Sequence, residues 1–315
     1  MGNELAAICA IEAITELKKE KKIIKKEGAV MKKSINYWSF PEKLSNGSRM
    51  SLKDCMELAK KAGFDAIELA VAEKGELSLD STRKDVEEIV QEAKEVGVEL
   101  SSLATGLFWD YSLSSSDDEV RDKARGIIRK MLELASYLGV DTILVVPGAV
   151  DVFFKPEAEV VPYDLACERS FESLQDWLPT AEKYKVNINI ENVWNKFLLS
   201  PLEMRDFIDK LDSDYLGAYF DVGNILLTGY PEHWIRILGK RIKKIHIKDF
   251  KGAIGNINGF CNLLEGDVNW TEVMKALREI GYTDYITAEM MPPYSRHPEA
   301  LIYNTSRSMD FVLGR

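Results

Sequence analysis

Residues 216–249 read LGAYFDVGNILLTGYPEHWIRILGKRIKKIHIKD, and this stretch contains a complete strand–helix–strand unit. The two apolar runs at its ends, 216–223 and 242–249, are rich in the aliphatic and aromatic residues typical of buried strands. The segment PEHWIRILGK between them has apolar residues at helical spacing. Because parallel strands need a crossover connection, usually a helix, the pattern indicates a βαβ unit.

The same unit repeats along the chain from Ser34 onward, with helix-period segments between the strands. The eight strand candidates span residues 34–40, 65–71, 98–105, 142–148, 187–193, 216–223, 242–249 and 285–291. Eight such units predict an α/β fold that is a single (β/α)8 TIM barrel. The alternative, an open doubly wound sheet, usually has a glycine-rich phosphate loop after its first strand, where this chain has SFPEKLSNGS.

Residues 1–30 differ from the rest of the chain because they are helix-prone, rich in lysine and without strand signals. They predict an N-terminal extension, helical or disordered, in front of a catalytic barrel domain that spans residues 31–315. Met31 is a candidate for the natural start of the protein. The alternative is an amphipathic helix packed on the outside of the domain.

Composition limits the classes of partner. The formal net charge of −10 argues against nucleic acid or an anionic membrane surface, since phosphate binding needs clustered Lys and Arg. No apolar run approaches the ~18 residues of a membrane span. The four cysteines, at positions 9, 55, 167 and 261, show no C-x-x-C spacing. This cysteine usage predicts a cytoplasmic protein in a reducing compartment. The net charge leaves a small polar molecule as the expected substrate.

Potential metal ligands lie at the ends of four consecutive strand candidates: Glu191, Asp221, His246 and Glu289. Barrel strands are expected to be apolar except at their carboxyl ends, where active sites assemble. Three buried carboxylates would repel one another and face a desolvation cost, so a cation is expected between them. Oxygen and nitrogen ligands in this combination suit Mn²⁺, Mg²⁺ or Co²⁺. The alternative is a set of rim carboxylates paired with lysines such as Lys248.

The segments IENVW, YFDVGN, IHIKD, LEGDVNW and ITAEM, in this order and spacing, resemble the xylose isomerase-like family of sugar (phosphate) isomerases and epimerases. The resemblance covers roughly residues 31 to 312 and is strongest to ketose 3-epimerases of the D-tagatose 3-epimerase and L-xylulose-5-phosphate 3-epimerase kind. It implies one divalent ion, Mn²⁺ before Mg²⁺ or Co²⁺, held by the four residues. It also implies ketose 3-epimerisation through a metal-stabilised enediolate, with Glu191 and Glu289 as the acid/base pair.

Two departures from the family pattern concern the substrate. Several members have a histidine three residues after the aspartate of the sixth strand, where this chain has Asn224, whose amide is predicted to contact the substrate instead. The enzymes that act on free sugars also have a further glutamate after the ligand of the fifth strand, and the run ENVWNKF has no acid there. These differences weaken any transfer of substrate preference from those enzymes.

Further substrate-binding candidates lie near the strand ends. Trp38, Trp109 and Trp194 are predicted to cover the apolar faces of a sugar, or else to pack at the barrel mouth. Glu68 is predicted to end the second strand and reach substrate hydroxyls, or to be a rim acid paired with a lysine. Lys248 is predicted to bind a substrate oxygen or phosphate, or to neutralise Asp221.

A phosphate site is a further expectation, because barrels often bind phosphate near their last two loops. The loop AIGNINGFCN, residues 253–262, has the glycines and asparagines that can present backbone N–H groups to an anion, with help from Arg296 and His297. The same composition is also typical of a flexible surface loop.

Other functions on the same scaffold remain as alternatives. Hydroxypyruvate-type aldose–ketose isomerase and inosose dehydratase share the enolisation chemistry. A non-catalytic sugar-binding protein is less favoured, since all four ligands are present. The related apurinic-site endonucleases bind three metals largely through histidines, and this chain has only three histidines in total. The resemblance also implies a homo-oligomer, either a dimer or a tetramer.

Overall fold

The computed structural model describes residues 31–290, 294 and 296–315. Eight parallel strands form a closed barrel. They are β1 (Lys32–Asn36), β2 (Ala66–Val71), β3 (Glu99–Thr105), β4 (Thr142–Val145), β5 (Asn187–Glu191), β6 (Leu216–Asp221), β7 (Ile242–Ile247) and β10 (Tyr285–Ala288). The sheet closes because Ser34 of β1 lies opposite both Ala66 of β2 and Thr287 of β10. The predicted (β/α)8 barrel is confirmed, whereas the N-terminal extension at 1–30 lies outside the described residues and stays a prediction.

Two short strands lie outside the barrel. The strands β8 (Asp249–Phe250) and β9 (Phe260–Cys261) pair antiparallel in the connection that follows β7. Because this small hairpin holds the middle of the connection, the segment is more ordered than the sequence alone indicated.

Helices surround the barrel. They are α1 (Leu52–Ala62), α2 (Arg83–Val96), α3 (Asp118–Leu138), α4 (Tyr163–Gln175), α5 (Leu178–Tyr184), α6 (Pro201–Leu211), α7 (Pro231–Leu238), α8 (Trp270–Ile280) and α9 (Ala300–Leu313). The Ser51 hydroxyl caps α1, accepting a hydrogen bond from the backbone N–H of Asp54. Residues 163–184 form two helices rather than one, because Pro179 lacks the N–H that a continuous helix would need.

The main hydrophobic core lies between the barrel and the helices, whereas the interior of the barrel is largely polar. A small apolar cluster of Ala104, Leu144 and Tyr219, covered by Trp38, lies inside the barrel. Buried polar side chains line the rest of the interior: Ser34, Asn36, Glu68, Ser101, Ser102 and Thr287. The expectation of strands that are apolar up to their carboxyl ends is therefore wrong for this interior, where polar groups bond to one another.

The fully buried Asp249 anchors the connection between β7 and α8. Its carboxylate accepts hydrogen bonds from the backbone N–H of Leu264 at 2.9 Å and of Val268 at 3.2 Å, and from the Trp270 indole at 3.1 Å. Gly266 packs so closely that a Cβ there would lie 2.2 Å from Asp249 Oδ1. The segments IHIKD and LEGDVNW are therefore joined by one buried carboxylate, which fixes the connection over the barrel mouth.

Replacing Asp249 with Ala is expected to lower the free energy of unfolding by about 3 kcal/mol, because several buried donors lose their charged acceptor. Urea denaturation followed by circular dichroism measures the change. Asp267→Ala is the matched control, since this exposed aspartate of the same connection accepts one bond, from the Gly252 N–H at 2.8 Å. Equal losses in the two variants would contradict the anchoring role of Asp249.

Candidate active site

Four side chains converge where the carboxyl ends of four neighbouring strands meet. Glu191 ends β5, Asp221 ends β6, His246 lies near the end of β7, and Glu289 directly follows β10. Each offers one ligand atom, and these atoms all lie within 4.8 Å of one another. All four residues are buried. We call them the carboxylate–histidine cluster; they are the residues that the sequence singled out as metal ligands.

The cluster fits a divalent cation by its donor set and by one unsatisfied atom. Carboxylate oxygens and an imidazole nitrogen suit Mn²⁺ and similar ions. Among the described residues, Asp221 Oδ2 has no hydrogen-bond partner although it is buried. Lys248 Nζ lies 3.1 Å from this oxygen, which is an ion-pair distance without hydrogen-bond geometry. A buried acceptor left in this state costs free energy, and a coordinated cation would satisfy it.

The two ring nitrogens of His246 have different environments. Nε2 lies 2.7 Å from Glu68 Oε1, whereas Nδ1 lies 3.2 Å from Glu191 Oε1 and 3.8 Å from Glu289 Oε2. Since an ionised carboxylate only accepts hydrogen bonds, Glu68 requires the proton of His246 to be on Nε2. The lone pair of Nδ1 in the neutral ring then faces the carboxylates of the cluster, as metal ligation requires.

The structure places Glu68 differently from both alternatives that the sequence predicted. It lies in the middle of β2 rather than at its end, it is fully buried, and it is neither a rim acid nor paired with a lysine. Its carboxylate accepts hydrogen bonds from Ser102 Oγ at 2.7 Å and from the Tyr219 hydroxyl and the Asn36 amide. With His246 these donors occupy both oxygens, so Glu68 orients the histidine and is not a substrate contact.

Opposing electrostatic effects separate the pKa values of the two glutamates in the cluster. Burial raises the pKa of Glu191 to about 7. The nearby Glu289 and Asp221 carboxylates also act to raise this pKa, whereas the hydrogen bond from His246 acts to lower it. Burial also acts to raise the pKa of Glu289, but the Lys248 ammonium and His246 outweigh it and lower that pKa. Their different surroundings therefore give two similar carboxyl groups different affinities for a proton.

The pKa values of the other two members of the cluster, Asp221 and His246, are also shifted. Burial raises the pKa of Asp221, although Lys248 opposes the shift. Burial acts to lower the pKa of His246, but Glu68 and Glu191 outweigh it and raise that pKa well above its usual value. A bound cation would have to replace the proton on Nδ1, so metal binding here is coupled to proton release.

Asn192 is a residue that the sequence interpretation missed. Its side-chain oxygen accepts from the Asp221 N–H at 2.8 Å, and its amide donates to the Asp221 carbonyl at 2.7 Å. The Asn224 amide donates to the Asn192 carbonyl at 2.9 Å, and the Trp194 indole donates to the Asn224 carbonyl at 2.8 Å. These bonds tie the segments IENVW and YFDVGN together and fix the backbone of Asp221 beside the end of β5.

A cavity of about 490 Å³ opens above the cluster. It is lined by Trp38, Thr105, Gly106, Trp109, Leu144, Val146, Phe153, Phe154, Glu191, Val193, Trp194, Asn224, Lys248, Ile257, Phe260 and Glu289. The size suits a small organic ligand. Of the cluster, only the two glutamates are part of the cavity wall, whereas Asp221 and His246 lie beneath it.

The cavity contains five of the side chains predicted as substrate contacts: Trp38, Trp109, Trp194, Asn224 and Lys248. Arg296 was also predicted to bind substrate, but it is exposed and does not line the cavity. Its neighbour His297 lies 3.5 Å from Ser45 Oγ, so this turn faces the connection after β1 rather than the cluster. The sequence did not predict that Phe153, Phe154 and Ile257 line the cavity. The sequence of a loop does not indicate which way an aromatic pair or a single aliphatic side chain points.

Comparison with known proteins places the chain in a family. The family model described as "Xylose isomerase-like TIM barrel" matches residues 56–309. The putative L-ribulose-5-phosphate 3-epimerase SgbU of Escherichia coli K12 is 28% identical over 82% of this chain and 90% of its own length. The L-ribulose-5-phosphate 3-epimerase UlaE of Salmonella heidelberg SL476 is 25% identical over 82% of this chain and 88% of its own length. These names agree with the isomerase class predicted from the sequence.

Solved structures show the same fold. D-psicose 3-epimerase from Clostridium cellulolyticum H10 superposes with a TM-score of 0.71 at 19% identity, covering 90% of this chain and 98% of that one. A structure of L-ribulose 3-epimerase gives 0.71 at 20% identity, covering 90% and 95%. No helix in the described part of the chain has the length and apolarity to cross a membrane. With the family model matching most of its length, the chain belongs to the xylose isomerase-like TIM barrel family.

Proposed function

We propose that the protein is a divalent-metal-dependent ketose 3-epimerase. The observation that carries this proposal is the position of Glu191 and Glu289, which belong to the carboxylate–histidine cluster and also line the cavity. Inversion of a carbon centre needs one group to remove a proton and a second to return it on the other face of the substrate. Two carboxyl groups with separated pKa values at the floor of one cavity suit that task.

The four residues of the cluster would hold the cation. When bound, a divalent cation polarises the ketose carbonyl and makes the C3 proton more acidic. One of the two glutamates, Glu191 or Glu289, removes the C3 proton as a carboxylate, and the other delivers a proton to the opposite face. In the reverse direction the two residues exchange roles. A substrate packed against the apolar side chains of the cavity wall would displace water from the cluster, which strengthens these charge interactions.

The substrate and assembly belong to the same proposal. A small ketose is the expected ligand, Mn²⁺ the first metal to test, and Mg²⁺ and Co²⁺ the alternatives. The homo-oligomer and the cytoplasmic location implied by the sequence stay predictions.

Glu289→Gln and Glu191→Gln are each expected to lower the rate of C3 epimerisation by about 10²–10⁴-fold, because each removes one of the two proton-transfer groups. The measurement is NMR of metal-loaded protein in D₂O, with deuterium at C3 and formation of the epimer as readouts. Glu232→Gln, a buried glutamate of α7 outside the cavity, is the control and keeps the wild-type rate. Exchange at C1 with aldose formation would instead identify an isomerase, and loss of water a dehydratase.

Glu68→Gln is expected to weaken Mn²⁺ binding by about 10–100-fold, because the amide cannot accept all the hydrogen bonds that orient His246. Free Mn²⁺ measured by electron paramagnetic resonance gives the dissociation constant without an activity assay. Ser101→Ala is the control, since Ser101 lies in the same buried polar column and bonds to Ser34 at 2.8 Å, with no hydrogen bond to His246 or Glu68. If both variants bind Mn²⁺ like the wild type, Glu68 does not position the histidine.

A further inference from the structure

The cavity has a polar floor and an aromatic wall. Five rings form a continuous arc around the wall, which we call the aromatic arc: Trp109, Phe154, Phe153, Trp194 and Phe260. Successive ring centroids in this order lie 5.1, 5.2, 5.8 and 5.0 Å apart. Phe153 and Phe154 are 42% and 45% exposed, so the arc presents apolar surface to the cavity and the solvent. Covering such surface with the apolar face of a ligand is favourable.

The charge of the wall is the second observation. Among the described residues that line the cavity, the cationic side chains are limited to Lys248. Its ammonium donates to Glu289 Oε2 and lies 3.1 Å from Asp221 Oδ2, so the cluster already engages it. A phosphate group on the end of the sugar remote from the cluster would bring about −1.5 to −2 charges to a wall where no cationic side chain of the described lining is free to meet it. Burying that charge against aromatic rings is costly.

The loop at 253–262, expected from the sequence to hold phosphate, is built differently. Three of its backbone N–H groups already bond to nearby residues. The Ile254 N–H donates to the Lys251 carbonyl at 3.0 Å, and the Gly259 N–H to the Asn256 carbonyl at 2.8 Å. The Asn258 N–H donates to the Asn256 side chain at 2.9 Å. The loop instead places Ile257 and Phe260 on the cavity wall. Apolar side chains therefore occupy the place expected for a phosphate site.

We propose that the substrate is a ketose without a phosphate group, and that the aromatic arc with Ile257 selects it over its phosphate ester. The end of the sugar remote from the reacting carbons packs its C–H face against the arc. This proposal rests on the proposed epimerase function. It separates the chain from SgbU and UlaE, whose names refer to a phosphorylated substrate.

The test compares matched pairs of substrates, L-ribulose with L-ribulose 5-phosphate and D-fructose with D-fructose 6-phosphate. C3 deuterium exchange in D₂O is measured for the full chain loaded with Mn²⁺, Mg²⁺ or Co²⁺. The expected result is a kcat/KM at least about tenfold higher for a free ketose than for its ester, the ratio that 1.4 kcal/mol gives. Faster exchange of the ester overturns this proposal and leaves the epimerase function standing.

If no sugar of any pair exchanges deuterium at C3, the result counts against the proposed function. Binding of the free and phosphorylated sugars then tests the present proposal. Trp38, Trp109 and Trp194 line the cavity, so tryptophan fluorescence reports occupancy by each sugar. Tighter binding of the free ketose supports the proposal, and tighter binding of the ester, or no binding of either sugar, overturns it.

A matched pair of variants tests the wall directly. Ile257→Lys places a cation on the cavity wall and is expected to raise kcat/KM of the ester relative to the free ketose by about tenfold. Ile254→Lys is the control. Ile254 is 44% exposed and Ile257 is 42% exposed in the same loop, but Ile254 does not line the cavity. An unchanged ratio in Ile257→Lys, or the same change in both variants, contradicts the assignment of selectivity to this wall.

Discussion

The burial of three carboxylates around one histidine is the constraint on which the rest of this structure depends. Like charges at this spacing oppose one another, and removal from water adds to the cost. The structure offsets both effects locally: Lys248 contacts Asp221 and Glu289, and His246 bridges Glu68 and Glu191. The four carboxylates in these contacts belong to four different strands or their ends, β2, β5, β6 and β10, and His246 and Lys248 lie at the end of a fifth, β7. The cluster can therefore exist only when the barrel is closed. The geometry of the site is therefore a property of the whole sheet.

Much of the fold and of the cluster was predictable because the determining signals are local. An apolar run of strand length followed by a helix with a Ser cap and a glycine end is a local pattern, and eight repeats of it permit few architectures. An ionisable residue at the end of an apolar run is also a local signal. When Glu191, Asp221, His246 and Glu289 recur at equivalent positions of successive units, closure of the barrel brings them together without any further information.

The features that the sequence did not predict depend on contacts between distant residues. Glu68 looked like a strand-end acid because its own segment says nothing about the histidine 178 positions later that binds it. Tyr219 and Ser102, which complete its hydrogen bonds, come from two other strands. The direction of side chains in loops is equally non-local: Ile257 lines the cavity while Ile254 does not, although both are isoleucines in one glycine-rich loop. Packing against the other connections at the barrel mouth decides which loop side chains face the cavity, and the sequence of the loop has no periodic pattern that predicts this.

Strands and loops divide the site between them. The residues of the carboxylate–histidine cluster and Glu68 are on or directly after barrel strands, whose hydrogen-bonded register fixes their spacing. The aromatic arc comes from the connections after β3, β4, β5 and β7, so its rings can change without altering that register. One of these connections is nevertheless held firmly, since Asp249 of β8 accepts hydrogen bonds from the backbone N–H groups of residues 264 and 268. The connection that places Ile257 and Phe260 on the cavity wall is thus held by one buried carboxylate, independently of the strand register that spaces the cluster.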